Sequence, residues 1–228
     1  MTFKDHFSSH ANVYAESRPD YPAALFAYLA DLCSTRELVW DCATGNGQAA
    51  QALASYFTRV VATDASAAQI EAARPGANIE YAVAPAEAVP LTACSVDMVT
   101  VAQALHWFDI DAFFASVRRV LKPGGVLAVW SYGLTRITPA VDQVIAELYD
   151  GVHGDYWPPE RKLVERGYAD IQLPFEALTP PPFEMRRDWS LDQLLAYLNS
   201  WSSTQRYLRQ HGNNPLAGSE RTAVGMGQ

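Results

Sequence analysis

The stretch Val39-Trp40-Asp41-Cys42-Ala43-Thr44-Gly45-Asn46-Gly47-Gln48 decides the fold, because an apolar run ends there in an acid and a glycine-bearing loop precedes a helical pattern. In an open α/β sheet, the carboxyl end of the first strand and the amino end of the next helix form a crevice of exposed backbone N–H groups. Gly45 and Gly47 carry no Cβ, so a ligand can approach their backbone closely. The stretch therefore predicts a site for a nucleoside-bearing cofactor, with a strand-to-helix turn that holds no ligand as the alternative.

The composition is that of one soluble α/β domain. The 228 residues and their 49% hydrophobic content suit a single large core. Lys and Arg number 17 against 25 Asp and Glu, and the net charge of −8 argues against a nonspecific hold on nucleic acid or an anionic membrane. Cys33, Cys42 and Cys94 form no C-x-x-C pair, which indicates neither a disulfide framework nor a zinc site. No apolar run nears the ~18 residues of a membrane span, so we expect a cytoplasmic protein without a bound metal.

Strand and helix patterns alternate along the chain as far as Trp130. Apolar and β-branched runs predict strands over 38–42, 59–63, 79–83, 96–102 and 125–130. Helical spacing predicts helices over 22–32, 47–56, 67–73 and 111–121, the third of them with Ser66 as its N-cap. This alternation is typical of a doubly wound, mostly parallel sheet.

The alternating pattern fades after Trp130. Residues 140–152 and 191–197 are predicted to be helical, and 183–189 to form an edge strand. Residues 212–228 show no strand-like alternation, so either a final strand is missing or the sheet closes differently. A missing strand would expose an apolar edge and favour dimerisation or poor stability, so both a monomer and a homodimer stay open. We divide the single domain, 1–228, into an N-terminal lid and helix (1–35), a cofactor-binding core (36–133) and a cap with the C-terminal segment (134–228).

Two acids accompany the glycine loop. Asp64 closes the second strand, close to the spacing at which an acid accepts hydrogen bonds from both ribose hydroxyls. Asp41 precedes the glycines at the tip of the first strand, where it would repel a pyrophosphate and suit a cationic ligand. S-Adenosylmethionine has an ammonium, a sulfonium and no phosphate. The acids therefore favour it over a nicotinamide dinucleotide, which stays the alternative.

Several blocks of the sequence match one family pattern together. They are 39–48 as the nucleotide loop, 60–64 as the strand with the ribose acid, 86–90 and 95–99 as the adenine-side loop and fourth strand, and 120–125 as the turn before the fifth strand. Residues 103–109, and Tyr14 with 18–22, are similar to the substrate-side segment and the N-terminal lid of one subgroup. The chain thus resembles a class I S-adenosylmethionine-dependent methyltransferase of the small-molecule type (type 11), close to trans-aconitate and ubiquinone-biosynthesis methyltransferases. The resemblance implies a Rossmann-like fold with a helical and aromatic cap.

The resemblance also implies a set of cofactor-binding residues. Gly45, Gly47 and the backbone near Ala43 would hold the amino acid end of S-adenosylmethionine, and Asp64 would hold its ribose. Gln103 would lie beneath the methionine portion. The other implied residues are Ala65, Ala86 and Glu87 on the adenine side, Tyr14 and Arg18 in the lid, and Asp41 and Gln48 in the loop.

The chain departs from the family pattern at two positions. Ala43 stands where the family has its first loop glycine, and Pro85 stands where many relatives have an acid facing the adenine amine. Adenine would then rely on backbone and apolar contacts, so cofactor affinity is the property these departures would change.

The acceptor site is predicted from what methyl transfer needs. Transfer from a sulfonium is an in-line displacement, so the protein has mainly to align the acceptor and exclude water. A carboxylate acceptor would need a cationic clamp such as Arg18 or Arg136. A hydroxyl acceptor would need a base, for which His106 is the candidate, with a histidine that merely packs beside Trp107 as the alternative. Trp107 and Trp130 are expected to line the acceptor pocket.

The sequence therefore predicts transfer of a methyl group to a small-molecule acceptor, a carboxylate or a hydroxyl. Two other functions stay open at this point. The first is a nicotinamide-dependent oxidoreductase, and the second is a relative of this fold that binds a cofactor without catalysis.

Overall fold

A single parallel β-sheet forms the centre of the protein. The computed structural model describes residues 19–217. Within that range five strands, all parallel, take the order β3-β2-β1-β4-β5. This confirms the predicted doubly wound α/β fold, because β1 lies in the middle and the chain winds outward from it in both directions. The strands are β1 (Leu38–Cys42), β2 (Arg59–Asp64), β3 (Ile79–Val83), β4 (Val96–Ala102) and β5 (Leu121–Trp130).

Helices connect the strands and continue beyond them. Ser66 caps the third helix as predicted, since its hydroxyl accepts a hydrogen bond from the backbone N of Gln69 at 3.4 Å. Asp109 caps the fourth in the same way, through the backbone N of Ala112 at 3.3 Å. In the described range the helices are α1 (Ala23–Asp31), α2 (Gln48–Leu53), α3 (Ala67–Glu71), α4 (Ile110–Val120), α5 (Pro139–Glu147), α6 (Arg161–Glu165), α7 (Leu191–Asn199) and α8 (Ser202–His211).

Each face of the sheet buries its own apolar cluster. Val39 and Trp40 are neighbours on β1, both fully buried, and they belong to opposite clusters because side chains alternate along a strand. Helix α4 covers the Trp40 face, where Phe113 packs against the indole. Helices α1 and α2 cover the other face through Phe26 and Leu53. Burial on both faces explains why these strands are continuous apolar runs.

A third apolar cluster forms a helical and aromatic cap after β5. It joins α5, α7, the turns between α5 and α6, and the residues on either side of α8, and its aromatic residues pack edge to face or tilted. The cap contacts the sheet domain where α6 meets the 3₁₀ turn Leu105–Trp107 that follows β4. The buried members of the cluster are Ile145, Leu148, Tyr149, Tyr197, Leu198, Trp201 and Leu216.

The segment between α6 and α7 differs from its prediction. Residues 172–190 contain no strand, so the predicted edge strand over 183–189 is wrong. The prolines at 180–182 have no backbone N–H to donate to a neighbouring strand. Phe175 packs on Phe114 at one face of the sheet, with ring centroids 6.3 Å apart, and Phe183 packs on Tyr28 at the other, with centroids 5.6 Å apart. The chain thus passes from one face to the other through a proline-rich extended segment.

Residues 140–152 are helical as predicted, first in α5 as far as Glu147 and then in a π-helical turn, Leu148–Val152. Helices α6 and α8 were not predicted. Both carry charged and polar side chains at most positions, and their apolar contacts depend on the folded cap.

Strand β5 is the last strand of the described range and pairs there with β4 alone. Residues 212–217 form turns, and the rest of the 212–228 prediction lies outside the described residues. Dimerisation through the β5 edge stays a prediction. No helix within 19–217 has the length and apolar character needed to cross a membrane. The cysteines at 33, 42 and 94 are all free thiols.

Candidate active site

The loop after β1 has the backbone conformation of a glycine-rich turn. Ala43, Gly45 and Gly47 all have positive φ angles, of 54°, 59° and 88°. Glycine adopts this conformation freely, whereas a residue with a Cβ is strained in it. A Cβ at Gly47 would also overlap the hydroxyl oxygen of Tyr81 on β3. Ala43 therefore holds the conformation of the glycine that the family has at this position.

Asp64 lies at the carboxyl end of β2, beside this loop. Its Oδ2 accepts a hydrogen bond from the backbone N of Gly45 at 2.9 Å, and its Oδ1 accepts one from the backbone N of Ser66 at 2.8 Å. A carboxylate offers about four acceptor positions, so it can bond to ribose hydroxyls as well as to backbone amides. The following residue, Ala65, is partly exposed at the same strand end.

Asp41 lies beneath the loop and is only 1% exposed. Its carboxylate accepts hydrogen bonds from the hydroxyls of Thr44 at 2.5 Å and Thr100 at 2.7 Å. Burial raises the pKa of Asp41 to about 6, against the opposing effect of these two hydrogen bonds. The carboxylate thus ties the glycine loop to β4, and its predicted contact with a cofactor stays a prediction.

The two adenine-side residues occupy a 3₁₀ turn after β3, Ala86–Ala88. Ala86 is buried. The Oε1 atom of Glu87 accepts a hydrogen bond from the backbone N of Asp109 at 3.0 Å, and the Glu87 carbonyl accepts one from the hydroxyl of Ser116 at 2.5 Å. Glu87 therefore fixes the turn to the start of α4, and Ala86 is held beside the strand ends.

Gln103 and Trp130 meet at the carboxyl ends of β4 and β5. Gln103 has a φ of 57°, and its backbone N donates to the carbonyl of Trp130 at 2.9 Å. The indole Nε1 of Trp130 is buried and has no acceptor within the described residues. A buried donor without a partner is uncommon in a folded protein. The Trp130 ring packs edge-on against Tyr21, with centroids 5.5 Å apart.

Gln48 holds the segment that leads into α1. Its side-chain Nε2 donates to the carbonyl of Pro19 at 2.9 Å and to Oδ1 of Asp20 at 3.1 Å. A cleft of about 300 Å³ lies between this segment and the glycine loop, lined in part by Tyr21 and Gly47. Tyr14 and Arg18 precede it in the chain and lie outside the described residues.

His106 lies in the 3₁₀ turn after β4, under the cap. Its Nδ1 is 3.1 Å from the hydroxyl of Tyr168, and the two rings stack with centroids 6.2 Å apart. The Trp107 ring lies 4.5 Å from the imidazole, between ring centroids. Burial, and after it the positive charge of Arg161, lowers the pKa of His106 to about 4. The imidazole is therefore neutral at pH 7 and only weakly basic.

The structure brings most predicted site residues to one edge of the sheet, but not Arg136. Arg136 is exposed in the irregular segment between β5 and α5. Two residues that sequence reasoning missed, Arg161 and Tyr168, lie near His106 instead. They follow a stretch of short turns with no strand or helix periodicity, so no local pattern marked them.

The residues present fit S-adenosylmethionine. The loop offers positive-φ backbone with no Cβ at Gly45 and Gly47, Asp64 offers a carboxylate, and Trp130 offers a buried N–H donor. Within residues 19–217 no three His, Cys, Asp or Glu side chains come together as a metal site.

Comparison with known proteins gives the same assignment. Residues 40–129 match the family described as methyltransferase domain. A protein of Dictyostelium discoideum named as a methyltransferase is 36% identical over 218 residues, which cover 94% of this chain and 83% of that protein. A Saccharomyces cerevisiae protein named as an S-adenosylmethionine-dependent methyltransferase is 31% identical, covering 89% of this chain and 82% of its own length.

A solved structure agrees with these relatives. The structure of a type II methyltransferase from Anaeromyxobacter dehalogenans superposes with a TM-score of 0.82 at 46% identity, covering 88% of this chain and 86% of that one. The chain belongs to the class I S-adenosylmethionine-dependent methyltransferases, a family of enzymes whose methyl donor is S-adenosylmethionine.

Proposed function

We propose that the enzyme methylates a small-molecule acceptor bound at the carboxyl ends of β4 and β5, beneath the cap. The observation that carries this proposal is the contact between His106 Nδ1 and the Tyr168 hydroxyl, 3.1 Å apart. It joins the turn after β4 to the turn after α6, so that the rings of Trp107 and Tyr168 lie on His106 at the carboxyl end of β4. A site with such aromatic walls would suit a small organic acceptor better than a macromolecule.

The cofactor residues would act by binding and orientation. When bound, S-adenosylmethionine supplies a methyl group already activated by its sulfonium, which the acceptor displaces in one in-line step. In our proposal the backbone of Gly45 and Gly47 binds the amino acid end, and Asp64 accepts hydrogen bonds from the ribose hydroxyls. Gln103 and the Trp130 N–H face the reacting side. These roles would fix the direction from which the acceptor approaches.

His106 would act on the acceptor. At neutral pH its imidazole is unprotonated, so it can accept a proton from an acceptor hydroxyl as the new bond to carbon forms. A pKa of about 4 makes this a weak base. An acceptor that is already an anion gives up no proton, and His106 would then only position it. Trp107 and Tyr168 would limit the access of water on either side of the imidazole.

The first experiment is isothermal titration with S-adenosylmethionine and S-adenosylhomocysteine, with reduced nicotinamide dinucleotide as the control. We expect micromolar binding of the two adenosyl ligands and none of the nucleotide. Transfer of a tritiated methyl group to a panel of small acids, phenols and alcohols follows. Transfer to proteins or RNA with none to small molecules would refute the small-molecule proposal.

The variant that tests His106 is His106→Ala. It should slow transfer to a hydroxyl acceptor and leave the affinity for S-adenosylmethionine unchanged, because the imidazole lies on the acceptor side. An equal loss of affinity and of transfer would mark His106 as a packing residue. Leu105→Val, in the same turn and fully buried, controls for loss of packing alone.

A further inference from the structure

We propose that Arg161 binds an anionic group of the acceptor, so that the acceptor is a small molecule carrying a carboxylate or another oxyanion. This deepens the proposed function and rests on it. The sequence pointed instead to Arg18 and Arg136 as the cationic clamp. Arg161 is the first residue of α6, the helix by which the cap contacts the turn that contains His106.

The guanidinium of Arg161 is held in a fixed place by aromatic side chains. Its central carbon lies 4.9 Å from the centroid of the Trp157 ring and 5.6 Å from that of Tyr149. Its Nε donates to the Tyr149 hydroxyl at 2.8 Å, and that hydroxyl donates to Oε1 of Glu165 at 2.5 Å. Stacking and one hydrogen bond thus orient the planar group without neutralising it.

Arg161 has no carboxylate partner among the described residues, a feature that Arg136, Arg206 and Arg209 of the cap segment share, whereas three other arginines of this segment have one. Within residues 19–217, Arg166, Arg186 and Arg187 each form an ion pair with an acid, and all three are exposed. Arg161 is half-buried and forms none within the same range. A guanidinium has five N–H donors in a planar fork, and one of them is used here. The remaining donors match the geometry of an oxyanion.

The charge of Arg161 reaches the proposed acceptor site. It is the second cause, after burial, of the lowered pKa of His106, and it acts on Tyr168 as well. The adjacent acid Glu160 acts on His106 in the opposite sense and more weakly. A weakly basic imidazole is poorly suited to remove a proton, whereas an anionic acceptor has none to lose. The positions of Arg161 and His106 therefore favour the same class of acceptor.

The test compares Arg161→Gln and Arg161→Lys with two matched controls. Arg166→Gln removes an exposed arginine five residues along the chain, and Tyr149→Phe removes the hydroxyl that accepts from Arg161 while keeping the ring and the charge. Thermal unfolding of each variant confirms that the cap is folded. Binding of S-adenosylhomocysteine is measured first in every variant, so that failure of the cofactor site is seen separately.

Anion binding is then titrated by tryptophan fluorescence, with and without S-adenosylhomocysteine. The probes are succinate, benzoate, glycerol phosphate and the neutral amide of succinate. We expect wild type and Arg166→Gln to bind at least one anion and not the amide. Arg161→Gln should lose at least tenfold in affinity at unchanged S-adenosylhomocysteine binding, and Arg161→Lys should lose less. Tyr149→Phe should also lose less than Arg161→Gln, because it removes the orienting hydrogen bond and keeps the charge and the stacking.

The same titrations distinguish carboxylates from phosphates. Tighter binding of succinate or benzoate than of glycerol phosphate identifies a carboxylate, and the reverse order identifies a phosphate. Equal binding of anions by Arg161→Gln and wild type would overturn the proposal. So would a wild-type protein that binds no anion at millimolar concentration, or one that binds the amide equally well. None of these results changes the measured binding of S-adenosylhomocysteine, so the proposed cofactor site is tested separately.

Discussion

The carboxylate of Asp64 accepts a hydrogen bond from the backbone N of Gly45, with 2.9 Å between Oδ2 and N. The two residues come from different motifs, one at the end of β2 and one in the loop after β1. Parallel pairing of β1 and β2 brings both strand ends to the same edge. The bond orients the carboxylate and the glycine loop together.

Asp64→Asn should weaken the binding of S-adenosylmethionine by about 1 to 3 kcal/mol, because the charge-assisted bonds to ribose and loop are lost. Isothermal titration measures this directly. Glu80→Gln, an exposed ion-pair acid on the neighbouring strand β3, is the control and should leave the affinity unchanged. A folded Asp64→Asn protein with wild-type affinity would show that the ribose is held elsewhere.

Ala43→Gly should stabilise the protein by about 0.5 to 1 kcal/mol, because a residue with a Cβ is strained at a φ of 54°. The same substitution at Ala49, a buried position in α2, should destabilise by about 1 kcal/mol or more through lost helix propensity and packing. Urea unfolding of the two variants measures the change in the free energy of unfolding, which should be positive for Ala43→Gly and negative for Ala49→Gly. Destabilisation by Ala43→Gly would mean that its methyl group packs more favourably than the strain costs.

Tyr168→Phe should slow methyl transfer roughly three- to tenfold, the value of one neutral hydrogen bond. The affinity for S-adenosylmethionine should not change, since the hydroxyl contacts His106 and not the cofactor loop. Tyr156→Phe, which removes a hydroxyl bonded to His211 on the cap surface, is the matched control. A loss of cofactor affinity in Tyr168→Phe, or an equal effect of Tyr156→Phe, would contradict a positioning role.

His153→Phe should reduce the acid sensitivity of the fold. His153 is fully buried beside Trp157 and Trp201, and burial lowers its pKa to about 4. The unfolded chain takes up a proton near pH 6.5, so stability is full above that pH and falls as the pH drops toward 4. Between pH 7 and pH 4 the wild type should lose of the order of 3 kcal/mol of its free energy of unfolding through this histidine, and the variant should keep that amount.

The substitution is expected to be tolerated at neutral pH. The Nδ1 atom of His153 has no partner within residues 19–217, and the Thr204 hydroxyl near its Nε2 already donates to the Leu198 carbonyl at 2.8 Å. Removing the imidazole therefore leaves no donor newly unsatisfied. Urea unfolding between pH 4 and pH 7 gives the comparison, and parallel pH profiles of the two proteins would exclude His153 as the group responsible.

The sheet could be predicted because its determinants are local. Strands β1, β3 and β4 begin and end at the predicted residues, since each is an apolar run buried on the sheet and bounded by turn residues. The β5 strand begins earlier than predicted, at Leu121, because pairing with β4 carries the turn residues into the ladder. The family resemblance identified the glycine loop and Asp64 because one helix and its flanking turns separate β1 from β2, which fixes the sequence spacing between the loop and the acid.

The cap could not be predicted in the same way. The segment 183–189 was predicted as an edge strand, yet it joins no sheet and packs Phe183 against Tyr28 instead. Helix α8 has a mostly polar sequence, and its buried residues are Ser203 and Thr204. Because both are polar, their burial in the cap leaves no apolar periodicity in the sequence.

By itself, the sequence determined the class of fold, the family and the edge of the sheet where we expect the cofactor, because strand periodicity and a short glycine loop are encoded within a few residues. The tertiary structure alone decided which arginine lies near His106, and hence which one we propose for the acceptor. The sequence around Arg136 and Arg161 gives no reason to prefer one of them. Packing leaves Arg136 exposed and holds Arg161 on the Trp157 ring, near His106. The contact between His106 and Tyr168 joins residues more than 50 positions apart. It depends on how the cap folds back on the sheet, which no local sequence pattern encodes.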